Sequence, residues 1–196
     1  MNDQIFETVV TTCSPAGVVH IAPMGVRYRD EHVVLKPFRP STTLDNLITT
    51  RLAVLNVVDD VRVFAGCITG RRSFATADVN RAGEPRAVRL ACALEHALLR
   101  LEQVDDDAER PTLVLARVHE ARHAAWRGFN RAQAAVVEGA VLASRLHLLP
   151  PEKVDTEMRY LQIAIDKTAG PAEREAWAWI VEAVTAHAAR AEGALR

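Results

Sequence analysis

The segment from Lys36 to Asn46 places an arginine and three consecutive hydroxyl side chains at the start of a predicted short helix. The hydroxyl groups belong to Ser41, Thr42 and Thr43. A helix N-terminus presents unpaired N–H groups and a partial positive charge, so a phosphate bound there meets oriented donors. Arg39 adds a planar charged group that can contact two phosphate oxygens. Because serine is also a common N-cap, the pattern indicates either an anion site or an ordinary capped helix.

The elements around this segment are predominantly strands in the first half of the chain. Runs rich in valine, isoleucine, threonine and aromatic residues predict strands at 6–14, 18–28, 33–38, 52–58, 89–103 and 112–126. Short helices are predicted at 41–51 and 61–68. The polar segment 105–111 predicts a hairpin between the last two strands. The run 52–58 is continuously apolar, which predicts a strand covered on both faces.

The pattern becomes helical near Phe129. Proline, glycine and asparagine residues punctuate three predicted helices, at 130–147, 151–167 and 171–191. We therefore predict an antiparallel barrel domain over 1–128 and a C-terminal helical region over 129–196. At 196 residues with 49% apolar composition, the chain is long enough to bury a sizeable core.

Composition excludes several classes of function. A net charge of −1 gives no electrostatic argument for binding to nucleic acid or membranes. Cys13, Cys67 and Cys92 have neither disulfide-framework nor zinc-site spacing, so we expect reduced thiols and no metal. The absence of a long apolar run or signal-like N-terminus predicts a cytoplasmic protein. No serine-histidine-aspartate order, paired carboxylates or Walker-type glycine loop points to hydrolysis or phosphoryl transfer.

A series of short motifs resembles the FMN-binding split-barrel superfamily. In order along the chain they are 22–26 (Ala-Pro-Met-Gly-Val), 37–43 (Pro-Phe-Arg-Pro-Ser-Thr-Thr), Asn46 and 53–57 (Ala-Val-Leu-Asn-Val). In the second half, 129–132 (Phe-Asn-Arg-Ala), Glu138, Arg145 and 167–170 (Lys-Thr-Ala-Gly) are similar to an uncharacterised family within it that carries a C-terminal helical region. Order and spacing carry this resemblance, which covers nearly the whole chain.

The resemblance implies a homodimer that binds FMN at the subunit interface, with kinship to flavin reductases and pyridoxamine-phosphate oxidases. It implies that Arg39 and the three hydroxyl residues hold the phosphate. The function expected is an oxidoreductase that passes a hydride between a nicotinamide-like donor and a small acceptor. The alternative is a non-catalytic, dimeric FMN- or coenzyme-binding module whose helical region recruits a partner. The substrate and any catalytic side chains are not predicted.

The segment Pro23, Met24, Gly25 and Val26 is chemically suited to line the flavin ring. Gly25 allows close backbone approach, and the N–H groups of Met24 and Val26 are donors for ring atoms. The alternative is a strand bulge. Asn46, one turn after Thr42, either braces the phosphate or ribityl chain or bonds to a neighbouring loop.

Several other polar residues allow either a structural or a ligand-binding interpretation. Asn56 lies in an apolar run and requires a hydrogen-bond partner, which is either ligand or backbone. His20 is predicted to be structural, and His119 and His123 are four apart on a predicted strand, which does not favour a metal pair. Arginines cluster around one loop, either as a solvated surface or as a second anion site. They are Arg71, Arg72, Arg81, Arg86 and Arg89.

Overall fold

The protein is described by a computed structural model covering residues 4–80 and 82–194. Its contacts divide the chain into two compact units, one formed by 4–58 and 74–126 and the other by 59–73 and 127–194. Residues 59–73, which the sequence analysis assigned to the first domain, therefore group with the C-terminal helices.

The first unit is built on antiparallel strands. They are β1 (Phe6–Cys13), β2 (Val19–Arg29), β3 (His32–Leu35), β4 (Leu52–Val57), β5 (Thr76–Asp78), β6 (Val88–Leu90), β7 (Glu95–Asp105) and β8 (Thr112–Arg122). Six of them close a barrel in the order β1-β2-β3-β8-β7-β4, in which β4 pairs back onto β1. The predicted hairpin around 105–111 joins β7 to β8.

Alternate residues of the barrel strands point inward and form one apolar core. Its buried members include Val10, Val26, Val33, Leu35, Ala53, Leu55, Leu99, Leu101, Leu113 and Leu115. Helix α1 (Thr42–Thr50) adds Leu44 and Leu47 to this core and packs against β1, β2 and β4. The helix ends at Arg51, whose left-handed backbone (φ 60°) stops it directly before β4.

Strands β5 and β6 form a separate ribbon, and β6 lies against β1 and β4. A second apolar cluster joins the ribbon to the barrel surface, and it contains Leu52, Val54, Ala87 and Leu98. Strand β4 is therefore buried on both faces, as predicted. The single strand predicted over 89–103 is wrong, because the chain turns after Leu90 and restarts at Glu95. The Ala93 N–H donates to the Leu90 carbonyl at 3.2 Å within this turn.

The second unit is helical. It contains α2 (Arg62–Thr69), α3 (Arg131–Ala143), a 3-10 turn (Leu146–Leu148), α4 (Pro151–Thr168) and α5 (Pro171–Ala194). Asn130 caps α3 as predicted, accepting from the Ala132 N–H at 2.8 Å. A Cβ atom on Gly139 would lie 2.7 Å from the Trp177 ring, so glycine permits the close packing of α3 on α5.

The predicted fold class, an antiparallel barrel followed by C-terminal helices, is confirmed. Across residues 4–80 and 82–194, none of the helices combines the length and apolar character that crossing a bilayer requires.

Candidate functional site

The start of α1 has the geometry of an anion site and of a capped helix at once. Ser41 is extended, and its Oγ accepts from the Leu44 N–H at 3.4 Å. An α-helix has no intrahelical acceptor for its first-turn N–H groups, so those of Thr42 and Thr43 are directed at whatever lies beyond the helix start. Thr42 is exposed, whereas the Thr43 side chain is buried. The N-cap interpretation of Ser41 is confirmed, and it leaves two backbone donors for an anion.

Arg39 lies beside this helix start but is engaged with the loop that joins β7 to β8. Its Nη2 is 2.5 Å from Asp106 Oδ1, and its Nε donates to the Asp107 carbonyl at 3.1 Å. Its own N–H donates to the Glu109 carbonyl at 2.9 Å. A phosphate contact from Arg39 therefore requires the guanidinium to leave Asp106, and the assignment of Arg39 to the phosphate stays a prediction.

Arg110 is a basic residue near the same segment that the sequence analysis missed. Its guanidinium carbon lies 4.2 Å from the centre of the Phe38 ring, and its Nη2 donates to the Lys36 carbonyl at 3.2 Å. No local spacing links Arg110 to Arg39, because the two are brought together only by the pairing of β3 with β8. Arg110 therefore contacts the segment that leads into α1, at Lys36 and Phe38.

Asn46 is 6% exposed, and its Nδ2 donates to Thr12 Oγ1 on β1 at 3.0 Å. This bond fixes α1 to the barrel wall. Asn46 therefore bonds to a barrel strand and not to a neighbouring loop, while a direct contact from Asn46 to a ligand stays a prediction.

The segment Pro23–Val26 lies within β2, not at a bulge. Its register with β1 continues without a shift through Pro23 and Gly25, so the bulge alternative is wrong. Met24 and Val26 pack against or within the barrel core, which places Pro23 and Gly25 on the outer face. A Cβ atom on Gly25 would lie 2.7 Å from the Ile5 side chain, so Ile5 covers the backbone that was predicted to approach a ligand.

One edge of β2 is open over most of its length. Strand β1 pairs along Val19–Val26, whereas β3 pairs only with Val26–Arg29. In the described chain, residues 22–25 therefore pair with β1 but with no strand on their second edge. Proline is tolerated at such an edge because it lacks an N–H, which accounts for Pro23. An open edge presents backbone donors and acceptors to a ligand.

Asn56 has protein partners, which settles the alternatives left open for it. The side chain is fully buried, and its Nδ2 lies 3.1–3.2 Å from Val9 O, Val54 O and Thr11 Oγ1. Its Oδ1 accepts from the Leu90 N–H at 2.7 Å. Thr11 Oγ1 in turn donates to the Val88 carbonyl. We call these contacts the β6 clasp, because Thr11 and Asn56 together hold β6 on the barrel.

The arginines predicted to cluster have separate partners in each of the two units. Arg71 pairs with Glu182 at 2.5 Å and Arg72 donates to the Cys67 carbonyl, both within the helical unit. Arg86 binds Asp78 at 3.0 Å and the Gly17 carbonyl at 2.9 Å in the barrel unit. Arg81 lies outside the described residues. The second anion site therefore stays a prediction.

Histidines gather on the outer face of the barrel, which the sequence did not indicate. Buried His96 on β7 faces His119 and His123 of the β8 segment, with ring centroids 6.0 Å and 5.0 Å away. His119 does lie on a strand, as predicted. Among the described residues, no group of three or more histidine, cysteine, aspartate or glutamate side chains is arranged to hold a metal ion.

The closed barrel with an open β2 edge and a helix at its end defines the class: a split-barrel fold of the kind found in flavoproteins. Residues 6–124 match a family described as the N-terminal domain of a protein of unknown function, DUF447, and residues 130–182 match its C-terminal region. The chain belongs to this family. The family resemblance inferred from the short motifs is confirmed. No curated protein matches the chain.

Solved structures agree on the fold. An FMN-bound DUF447 protein from Methanosarcina mazei superposes with a TM-score of 0.77 at 23% identity, covering 93% of this chain and 96% of that chain. A Shewanella frigidimarina protein with a split-barrel domain gives 0.50 at 10% identity, covering 60% and 66%. The flavin reductase HpaC, complexed with NADP+, gives 0.50 at 12% identity, covering 64% and 82%. At these identities the likeness establishes the fold.

Proposed function

We propose that this protein binds FMN, with the phosphate at the start of α1 and the isoalloxazine along the open edge of β2. The observation that carries the proposal is the position of α1, which packs against β1 and β2, while β3 pairs with only the last residues of β2. Phosphate suits the first-turn N–H groups of Thr42 and Thr43. The isoalloxazine ring carries hydrogen-bond donors and acceptors along its edge. These groups match the backbone N–H and C=O groups of a strand edge that has no neighbouring strand.

The residues present fit the cofactor at both ends. Arg39 lies three residues before Thr42 and supplies positive charge, and exposed Thr42 adds a hydroxyl group. At the ring end, Ile5 covers the outer face of Gly25. The ring is therefore expected to lie along the strand edge rather than over that face. The fold of the FMN-bound Methanosarcina mazei protein, shared over 93% of this chain, supports the same cofactor.

The reaction proposed is hydride transfer from a nicotinamide donor to a small acceptor. Bound FMN supplies the redox chemistry, and the protein binds and orients it and limits its contact with water. The shared fold of a flavin reductase complexed with NADP+ supports the nicotinamide donor. No side chain has to act as acid or base in this scheme, and no catalytic residue is assigned.

A homodimer completes the proposed site. The β2 edge and the α1 start both belong to the barrel unit, and a second copy related by two-fold symmetry would cover two such sites equivalently. Sedimentation of the flavin-loaded protein is expected to give twice the mass of one chain. A stable flavin-loaded monomer would contradict the shared site.

Absorption spectroscopy tests both parts of the proposal. The purified or FMN-reconstituted protein is expected to be yellow, and anaerobic addition of NADH or NADPH is expected to bleach it. Yellow protein that neither nicotinamide bleaches would retain the FMN site and overturn the oxidoreductase, leaving the binding module. Colourless protein that FMN cannot reconstitute would overturn both.

A further inference from the structure

Three histidines and one arginine on the outer barrel surface form an arrangement that the proposed flavin site does not use. His96 Nδ1 lies 2.8 Å from His123 Nε2, and the two rings stack with an interplanar angle of 8°. His119 approaches the same ring edge-on. His96 is 3% exposed, and its Nε2 has no hydrogen-bond partner in the described chain. A buried polar atom of this kind requires an explanation.

The β6 clasp holds the backbone on either side of Arg89 near these rings. Arg89 lies between Val88 and Leu90, the two residues that the clasp hydrogen bonds to the barrel. Asn56 pairs with His96 in the ladder between β4 and β7, so the clasp and the imidazoles are neighbours. The loop after β8 is fixed as well, since the His123 N–H donates to the Leu94 carbonyl at 2.7 Å. The charged groups are therefore preorganised on paired backbone.

The charge of Arg89 is not neutralised by a carboxylate. In the described chain, its hydrogen bonds go to the carbonyls of Leu90 and Ala91, at 2.9 and 3.3 Å. The pKa of His96 is lowered to about 4, first by burial and then by His123, Arg89 and His119, in that order. The pKa of His123 is also lowered, first by burial and then by Arg89. Both histidines therefore sense a positive potential.

This environment favours an anion over a cation. Histidine clusters often bind metal ions, but a metal ion here would face the guanidinium of Arg89. An anion would instead be attracted by Arg89 and would stabilise the protonated imidazoles around it. Exposed His119 and His123 provide access from solvent.

We propose that Arg89, His119 and His123 form an anion-binding site for a phosphoryl group, with His96 as its buried floor. A phosphoryl group carries two negative charges and several acceptor oxygens, which matches a guanidinium and two imidazole donors. The site is separate from the start of α1, and it stands whether or not the protein binds FMN.

Histidine proton NMR titrations with inorganic phosphate test the site at constant ionic strength, with chloride as the reference anion. In the full-length protein, phosphate is expected to raise the pKa of His123 by about 1, because a bound anion favours the charged ring. A His123→Gln variant assigns the resonance. No phosphate-dependent change relative to chloride at tens of millimolar would overturn the proposal.

Two matched variants locate the effect. Arg89→Gln is expected to abolish the response to phosphate, whereas Arg86→Gln removes an arginine of the same ribbon that binds Asp78 and is expected to preserve it. Equal loss in both variants would show a general charge effect and overturn the site. If Arg89→Gln disturbs the fold, seen as altered circular dichroism, Arg89→Lys replaces it and is expected to weaken phosphate binding about ten-fold.

The source of the phosphoryl group is distinguished by parallel titrations. If the site binds a nicotinamide dinucleotide, NADP+ is expected to raise the pKa of His123 at a concentration about ten-fold or more below that required for phosphate. NAD+ is expected to act more weakly because it lacks the additional phosphate. A response to phosphate alone identifies a site for the free anion. Equal action of NAD+ and NADP+ would identify the pyrophosphate that both contain as the recognised group, and no response to phosphate or to either dinucleotide would overturn the proposal.

Discussion

Two regions of the barrel unit carry arginine near candidate anion positions, and they differ in what holds the arginine. Beside α1, Arg39 is paired with Asp106 at 2.5 Å, and the free donors are the backbone N–H groups of the helix. On the outer face, Arg89 has only carbonyl partners within the described residues, and its charge reaches two histidines. In the first region the arginine is paired with a carboxylate, whereas in the second it is held by backbone carbonyls.

This difference indicates that an arginine in the sequence is a poor guide to an anion site by itself. At α1, the backbone is the component expected to bind phosphate in the resting structure, and Arg39 must exchange partners to join it. On the outer face, the charge of the Arg89 side chain is expected to attract the anion, and the β6 clasp fixes the position of the Arg89 backbone. We therefore expect the two regions to respond differently to substitutions that alter charge and to substitutions that remove hydrogen bonds to the backbone.

The largest effect is expected from breaking the clasp with Asn56→Leu. The substitution leaves the Leu90 N–H and nearby groups without their buried partner, which should lower the free energy of unfolding by about 3–4 kcal/mol. Asn46→Leu removes one bond to Thr12 and should cost about 1–2 kcal/mol. Urea unfolding measures both. Equal losses would show that the outer face does not depend specifically on the clasp.

The second effect is a loss of stability in acid. The pKa of His96 in the folded protein is about 4, below the value of about 6.5 for an unfolded chain. The unfolded state therefore binds a proton first, so the stability contributed by neutral His96 is complete above pH 6.5 and is lost as the pH falls towards 4. The expected loss is on the order of 2–3 kcal/mol.

Histidine variants identify the group responsible for this pH dependence. His96→Asn is expected to flatten the dependence of unfolding free energy between pH 6.5 and 4. His147→Asn removes an exposed histidine of the helical unit and should leave the slope unchanged. A slope that persists in His96→Asn would mean that other groups are responsible.

A smaller effect is expected at the start of α1. Ser41→Ala removes the cap on Leu44 and should lower stability by about 1 kcal/mol without any ligand. Thr49→Ala, whose hydroxyl bonds to the Asp45 carbonyl on the same exposed helix surface, should change stability by less than about 0.5 kcal/mol. Thermal unfolding of the FMN-free protein compares the two. No loss in Ser41→Ala would indicate that the cap contributes nothing.

The smallest effect concerns the partner of Arg39. Asp106→Asn weakens the ion pair and should strengthen FMN binding about two- to five-fold, because an exposed pair contributes less than about 1 kcal/mol. Asp105→Asn removes the neighbouring negative charge, from a side chain that accepts from Gln103 and not from Arg39. Fluorescence titration with FMN measures both. Equal tightening in both variants would indicate long-range charge rather than release of Arg39.

The strands, the capped helix and the C-terminal helices could be predicted because their signals are local. The alternation of β-branched residues predicts a strand from a few consecutive positions. Ser41 and Asn130 each indicate where one helix begins. The break between Leu90 and Glu95 could not be predicted, because the alanine- and leucine-rich run continues across it and only packing on the barrel selects the turn.

The candidate sites divide in the same way. The hydroxyl run at α1 is contiguous and was visible in the sequence, whereas Arg110 and His96 join their regions through strand pairing. The open edge of β2 is also invisible locally, because it results from β3 pairing with only the last residues of β2. His119 and His123 are four residues apart. This spacing did not indicate that His96 lies against them or that Arg89 contributes positive charge nearby.

The central claim, that the start of α1 holds the phosphate of FMN, is tested most directly by comparing FMN with riboflavin, which lacks the phosphate. The measurement is the dissociation constant of each ligand for the wild type and for Arg39→Ala/Thr42→Ala. FMN affinity is expected to fall about 10- to 100-fold, since each charge-assisted bond contributes roughly 1.5–3 kcal/mol. Riboflavin affinity should change by less than about two-fold. Unchanged FMN binding, or equal losses for both ligands, would contradict the account.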